Sequence, residues 1–288
     1  MKLSIIIVSY NVRDLLKKCL ESIFRYIKNI DFEVIVIDNA SSDGSAAMVG
    51  REFLTVNLIA NKKNLGFASA NNQGIARVRG KYILILNDDT ELIDNSLEKL
   101  IGLMEKNNNW AIMGCKLLNQ DGSLQASVRR FPHFFDQLLV LLKLHHLPSF
   151  KRDLENYMCT VFDYGQTQEV EQIMGACMLI RKEIFDKIGS FDEKYFYWFE
   201  EVDLCKRAAN VGLKVIYTPQ AQIIHHGGAS FNQINWHKQI IWNHSVCRYF
   251  LKHGKKWQFT VLWFLGPISI LLAVVADWMK KFKINFYE

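Results

Sequence analysis

The N-terminal part of the chain repeats one pattern: a short, predominantly apolar run that stops abruptly at polar residues. Leu3–Val8, Glu33–Ile37, Val56–Ala60 and Tyr82–Leu86 are the runs, each too short for a stable helix. Between the first two, Leu15, Leu16, Cys19, Leu20, Ile23, Phe24 and Ile27 recur with the period of an amphipathic helix from Val12. A further helix is expected from roughly Ala68 to Arg79. Strands without polar alternation are buried on both faces, and strands alternating with helices give a mostly parallel sheet covered on both sides. The fold class read from this pattern is α/β, with a Rossmann-like central sheet. Further along, Asn95-Ser-Leu-Glu98 has the form of a capping box opening the helix Leu97–Glu105. Ala111–Cys115, Ile173–Ile180 and Lys214–Tyr217 read as later strands, and Glu200–Val211 as a helix stopped by Gly212.

At 288 residues there is room for one large domain, or for a domain with an appendage. The net charge of +6 is dispersed until the C-terminal end. A nucleic-acid footprint would need a basic stripe, so anionic lipid or phosphorylated ligands are the expected partners and nucleic acid is not. Cys19, Cys115, Cys159, Cys177, Cys205 and Cys247 show no CxxC spacing, which points to a reducing setting without a zinc site or disulfide framework. Met1-Lys2 leads straight into a strand, so no signal peptide is expected and the catalytic part is placed in the cytoplasm.

Chemistry is concentrated at the ends of the apolar runs. Asn87-Asp88-Asp89-Thr90 follows the Tyr82–Leu86 strand, where uncompensated charge is costly. A turn or helix cap is one reading of such a cluster. The other is a divalent cation, Mg²⁺ or Mn²⁺, bridging one or two carboxylates to a diphosphate. Asp38 ends the second strand, either as a turn residue or as an acceptor for a base N–H or ribose hydroxyls. No GxGxxG follows the first strand, and the stretch Gly74 to Tyr82 misses a phosphate-binding loop by spacing. Glu200-Glu201-Val202-Asp203 opens a helix directly after Tyr195-Phe-Tyr-Trp-Phe199. Acids suit a helix N-terminus, but aromatic rings beside them can also shape a sugar pocket and raise a carboxylate's basicity. His225-His226-Gly227-Gly228 closes another apolar run and offers a metal or phosphate contact beside the structural reading.

Taken in order, Ser4-Ile-Ile-Ile-Val-Ser-Tyr-Asn11, Val36-Ile-Asp-Asn-Ala-Ser-Ser-Asp-Gly44, Asn64-Leu-Gly-Phe-Ala-Ser-Ala-Asn-Asn-Gln-Gly74 and Leu86-Asn-Asp-Asp-Thr-Glu91 resemble the family 2 inverting glycosyltransferases. The resemblance continues through Met174–Arg181, Gly189–Glu193, Glu200–Cys205 and His225–Ser230, and it is nearest to the rhamnosyltransferase-like branch that builds bacterial surface polysaccharides. It implies a GT-A fold, a nucleotide-diphosphate sugar donor (dTDP-rhamnose or a UDP-sugar), a saccharide or lipid-linked saccharide acceptor, and Mg²⁺ or Mn²⁺. It also assigns residues. Asp38 contacts the nucleobase, and Asn64, Gly66 and Asn71 lie in the loop bordering the nucleotide. The metal-binding DxD-type motif falls on Asn87-Asp88-Asp89; its first Asp is Asn here, so the metal is assigned to Asp89, with Asp88 on the substrate side. Glu201, where many relatives carry Asp, becomes the catalytic base; Glu200 and Trp198 flank the transferred sugar, and His225 is the second metal contact. The rivals are a sugar-nucleotide nucleotidyltransferase, which would need a Gly-rich loop after the first strand, and a non-catalytic membrane-associated sugar-binding protein.

Two regions depart from the α/β pattern. Phe131–Phe150 is rich in leucine and reads as a buried or a membrane-facing helix. Beyond Asn235, Trp242, Val246, Tyr249 and Phe250 share one helical face, and Trp257 to Ala276 is almost free of charge over about the length that spans a bilayer. Gly266-Pro267 interrupts this segment, with Lys255, Lys256, Lys280, Lys281 and Lys283 flanking it. A kinked span, a re-entrant hairpin, an in-plane helix and a core helix are the alternatives. The expected division is 1–235 for the catalytic domain and 236–288 for a membrane-associating segment, at the cytoplasmic face of a bacterial inner membrane.

Overall fold

The computed structural model describes residues 1–144, 147, 150–227 and 237–284. The expected boundary at 235/236, residues Gly228–Ser230 of the histidine motif, four residues of the Phe131–Phe150 segment and the side chains of Lys280, Lys281 and Lys283 lie outside the described residues.

The first half alternates as the apolar runs require: β1 (Leu3–Ser9), α1 (Arg13–Tyr26), β2 (Phe32–Asp38), α2 (Ser45–Glu52), β3 (Asn57–Ala60), α3 (Phe67–Ile75) and β4 (Tyr82–Asn87). These four strands are parallel in the order β3-β2-β1-β4, with Ile5 level with Val34 and Leu84. Successive side chains leave a strand on opposite faces, so both faces carry core. Ile5, Val34 and Leu84 pack beneath Leu16, Leu20 and Ile23 of α1, while Ile6, Ile35 and Ile83 face the other way, in the cluster that holds Ala68 and Ala70 of α3.

β5 (Thr90–Leu92), α4 (Ser96–Lys106), β6 (Trp110–Leu118), β7 (Leu124–Gln125), β8 (Val128–Arg129), α5 (Phe134–Leu141), α6 (Lys151–Tyr157), β9 (Gln168–Val170), β10 (Gln172–Ile173), β11 (Cys177–Arg181), α7 (Ile184–Ile188), α8 (Glu200–Asn210) and β12 (Lys214–His225) follow. The sheet continues as β4-β11-β6-β12-β5, with β11 antiparallel to β4 and β6 and with β12 parallel to β6. It is mixed but mostly parallel along its spine. The strand expected over Ile173–Ile180 is split: β10 pairs with β8 in a separate ribbon, and β11 begins only at Cys177. Between them the chain bends so that Ala176 O accepts from Asn87 N at 3.0 Å, which ties this break to the acidic turn after β4.

Two local expectations are corrected. α3 ends at Ile75 rather than Arg79, because Glu33 accepts from the Arg79 backbone at 2.8 Å and its guanidinium at 2.9 Å, pulling the chain toward Gly80 N and the Ser4 hydroxyl. The capping box at Asn95 does not form; Glu98 instead accepts from the backbone N–H groups of Lys28 and Asn29 at 3.3 and 3.0 Å.

α9 (His237–His253) and α10 (Lys256–Ile284) complete the described fold. α10 runs unbroken through Pro267, which excludes the re-entrant hairpin, and Asn243 donates to Gly266 O at 3.0 Å where the proline disturbs the helical ladder. Lys256–Ala276 is long and apolar enough to cross a membrane, and with 17% of its most apolar window buried it is not a core helix. A third core cluster joins Leu141 of α5, Tyr195, Phe199 and Val202 to Val246, Tyr249 and Phe250 of α9 and Leu262 of α10.

Candidate active site

The parallel strands deliver their polar ends to one side of the sheet, where ligands of open α/β sheets gather. Asp38, at the end of β2, is 3% exposed; Oδ2 accepts from Ser41 N at 3.1 Å, while Oδ1 is buried without a hydrogen-bond partner. Such an atom costs stability unless a ligand completes it. Asn39, which sequence reasoning passed over, organises the neighbouring loop. Its amide donates to Asn64 Oδ1 at 2.9 Å and Gly66 O at 3.2 Å and accepts from Leu65 N at 3.1 Å. Asn64 also accepts from Gly66 N at 2.9 Å, so its side chain fixes the loop from within. Gly66 has φ +82°, and a Cβ there would collide with the Phe196 carbonyl. Asn71 is wholly buried and donates to Phe67 O at 2.9 Å, which places it behind the loop rather than on its surface.

After β4, Asp88 and Asp89 are both buried, and Asp88 Oδ2 accepts from Tyr10 N at 3.3 Å. Asp89 Oδ1 lies 3.2 Å from His225 Nε2 at the end of β12. The imidazole is oriented by Gln125. The Gln125 amide donates from Nε2 to Asn119 Oδ1 and His225 O, so its Oε1 accepts from His225 Nδ1 at 2.6 Å. Nε2 then presents its lone pair toward Asp89, with Asn87 Nδ2 donating to it at 3.3 Å. Two cis ligands about 2.1 Å from an octahedral Mg²⁺ stand about 3 Å apart, so the Asp89–His225 pair fits such an ion. Among the described residues no three His, Cys, Asp or Glu side chains converge on one ion position, and such ions commonly take their other ligands from substrate phosphates and water. His226 serves the scaffold: Nε2 holds Glu91 at 2.7 Å and its N–H donates to Asp89 O at 2.9 Å.

Glu200 and Glu201 open α8. Trp198 and Phe199 before them have φ of +65° and +70°, a left-handed pair at non-glycine residues. Each such residue costs roughly 1–3 kcal/mol and persists only where packing fixes it. Here Phe67 N donates to Phe196 O at 2.8 Å, Ser245 Oγ to Tyr197 O at 2.8 Å, and Trp242 lies 5.5 and 5.2 Å from the Trp198 and Phe199 rings. Glu200 is 4% exposed; burial and then the charge of Glu201 hold its carboxyl well above the usual range. Burial likewise raises Glu201, whose Oε2 has no partner. The break before β11 lies beside it: a Cβ added at Gly175 would stand 3.7 Å from Glu201 Cβ, an ordinary contact. Desolvation raises the pKa of the Tyr197 hydroxyl, and the charges of Glu200, Asp88, Asp89 and Glu201 raise it further. The third carboxylate of the helix, Asp203, is fully buried and held by Arg207, Lys252 and His253, a structural role.

Glu201 lines a cavity of about 400 Å³ whose walls include Trp198, Val140 of α5, Leu154 of α6 and Trp242 of α9. A larger groove, about 960 Å³, lies between α9 and α10 away from the carboxylates. The cavity draws on segments that carried no motif, and only the aromatic face of α9 signalled its part in sequence.

Residues 4–189 match the family model described as glycosyl transferase family 2. An N-acetylglucosaminyl-diphospho-decaprenol L-rhamnosyltransferase of Mycobacterium tuberculosis is 25% identical over 257 residues, covering 82% of this chain and 81% of that protein. Rhamnosyltransferase WbbL of Escherichia coli K12 is 29% identical over 250 residues, covering 81% of this chain and 88% of WbbL. Among solved structures, the mannosyltransferase PcManGT of Pyrobaculum calidifontis, in complex with GDP-Man and Mn²⁺, aligns over 96% of this chain and 73% of its own, with a TM-score of 0.57 at 15% identity. GalNAc-T7 with UDP, GalNAc and Mn²⁺ aligns over 78% of this chain and 44% of its own, with a TM-score of 0.56 at 16% identity. These likenesses show a GT-A-like fold.

Proposed function

The chain belongs to glycosyl transferase family 2, and on that premise we propose that it transfers a sugar, with inversion, from a nucleotide-diphosphate donor to a lipid-linked saccharide in cell-surface polysaccharide synthesis. dTDP-rhamnose is the first donor to test and UDP-sugars the next, because relatives over most of the chain are named rhamnosyltransferases. The observation that carries the reading is the buried Asp89–His225 pair, 3.2 Å apart at the strand ends, in the same molecule as a cavity lined by Glu201.

Each group has a task. Asp38 Oδ1, buried and unpartnered, accepts from the nucleobase, and the Asn39-braced loop borders the nucleotide. Asp89 and His225 hold the divalent ion, Mg²⁺ or Mn²⁺; when bound, it neutralises the charge that builds on the departing diphosphate. Glu201 takes the proton of the acceptor hydroxyl as that oxygen bonds to the anomeric carbon and the bond to the diphosphate breaks. Its raised pKa makes it a stronger proton acceptor than a solvated glutamate. Glu200, more deeply buried, braces the pair. Trp198 and Phe199 keep water from the anomeric carbon, which suppresses hydrolysis. α10, with an apolar surface exposed at Trp257, Trp263 and Phe264, brings the site to a lipid-borne acceptor at the cytoplasmic face of the membrane.

Thermal-shift titration of the purified protein with Mn²⁺ and a panel of nucleotide sugars tests this reading. One donor should raise the melting temperature in a metal-dependent way. No response to any nucleotide sugar would overturn it.

A further inference from the structure

Three buried polar atoms without hydrogen-bond partners belong to residues lining the cavity beside Glu201: Glu201 Oε2, Ser127 Oγ and Trp242 Nε1. An unmet polar atom in such a place costs stability, and groups of this kind mark where a ligand completes the bonding. Their chemistry is complementary: a carboxylate that accepts, a hydroxyl that does either, and an indole N–H that only donates. Apolar side chains such as Val140, Leu154 and Trp198 make up most of the remaining wall, interrupted by Arg129, Tyr157 and Gln172. A cavity of about 400 Å³ falls within the range of roughly 300–1,000 Å³ typical of small-ligand sites.

This combination suits a pyranose ring. Its C–H face packs on the aromatic and aliphatic wall, and its hydroxyls meet the few polar atoms. We propose that this cavity is the acceptor-sugar subsite, and that Trp242 Nε1–H and Ser127 Oγ hold the ring so that one hydroxyl faces Glu201. The inference rests on the transferase reading above and adds which residues recognise the acceptor.

A consequence concerns the C-terminal helices. Trp242 comes from α9, which is fixed to the catalytic helix α8 through Asp203: Lys252 Nζ donates to Asp203 at 3.0 Å and His253 Nε2 lies 2.7 Å from it. Val140 and Leu154 come from α5 and α6, within and just beyond the leucine-rich segment. The two regions that depart from the α/β pattern thus close the same cavity from two sides. The appendage completes the acceptor site as well as presenting an apolar face.

The test uses the full-length protein with Mn²⁺, the nucleotide sugar that gives a thermal shift, and a short-chain N-acetylglucosaminyl-diphospho-lipid as acceptor probe. Trp242→Phe keeps an aromatic wall and removes the N–H; Ser127→Ala removes the hydroxyl. Each should raise the acceptor KM about tenfold with kcat changed less than twofold, while the donor-induced thermal shift persists. Trp242→His, which retains a ring N–H, should recover part of the lost affinity. An unchanged acceptor KM in both Trp242→Phe and Ser127→Ala overturns the subsite, as does an equal loss in Trp242→Phe and Trp242→His. Ser127→Ala keeps the proposal testable if the tryptophan variants fail to fold. Failure of the wild type to bind any nucleotide sugar would instead sink the parent reading, so the two failures are distinct.

Discussion

Asp89 Oδ1 and His225 Nε2 stand 3.2 Å apart, although the two residues belong to strand ends separated by nearly half the chain. Gln125 fixes the imidazole from the opposite side, with Nδ1 to Oε1 at 2.6 Å, as metal-binding histidines are commonly oriented. Asp89→Ala should abolish metal-dependent donor binding. His225→Ala should weaken Mn²⁺ affinity by at least about tenfold, and Gln125→Ala by about 10–100-fold. Calorimetric titration of Mn²⁺ in the presence of the nucleotide checks all three, and unaltered affinity in Asp89→Ala would remove the ion from this position.

Gly66 permits the close approach of the Asn64–Gly66 loop to the aromatic segment. Its φ of +82° and the Phe196 carbonyl leave no space for a Cβ. Gly66→Ala should cost at least about 1–3 kcal/mol in urea unfolding. Nucleotide affinity should fall with it, because Asn64 and Asn39 lose their fixed partners at Gly66.

Asp203 supplies a pH-dependent clamp between α8 and α9. Burial alone would raise its pKa, but hydrogen bonds from His253 and Lys252 and the charge of Arg207 outweigh it and bring the value down to about 2. A folded pKa below the unfolded one stabilises above the unfolded value. The contribution is therefore complete above about pH 5 and is lost as pH falls toward 2. A depression of this size corresponds to about 2 kcal/mol. Asp203→Asn should lose about that much in urea unfolding at pH 7, and the gap from wild type should narrow steadily below pH 4.

How far these features were legible in the sequence follows from the range of the interactions. The strands β1, β2 and β4 are predominantly apolar runs, and Asp38, Asp89 and Glu201 follow such runs or an aromatic one, so local pattern singled them out as candidates. The antiparallel entry of β11 between β4 and β6 was not readable, because apolar periodicity carries no direction. Glu98 was mistaken for a cap because its true partners, Lys28 and Asn29, lie about seventy residues away. Asp203 could be set apart in the sequence as a structural acid within the helix, but its partners Lys252 and His253, about fifty residues on, could not be read there. Trp242 was visible as part of an aromatic face, but its place beside Glu201 depends on how α9 docks.

The exposed face of α10 should bind lipid. Trp263 and Phe264 are 59% and 66% exposed, so replacing them leaves the core intact. Burying each in a bilayer interface is worth roughly 1.5–3 kcal/mol. Trp263→Ser combined with Phe264→Ser should reduce co-sedimentation with phosphatidylglycerol vesicles more than tenfold. Equal partitioning of wild type and variant would show that this face does not meet the membrane.

In the proposed mechanism Glu201 takes the acceptor's proton. Glu201→Gln preserves size while removing the base, so kcat for sugar transfer should fall by roughly 10²–10⁴, with the donor-induced thermal shift retained. In the wild type, the rate should rise with pH through a value above the ordinary glutamate range, because burial raises this carboxyl; that limb should vanish in the variant. Transfer at close to the wild-type rate in Glu201→Gln, with the same pH profile, would contradict the account.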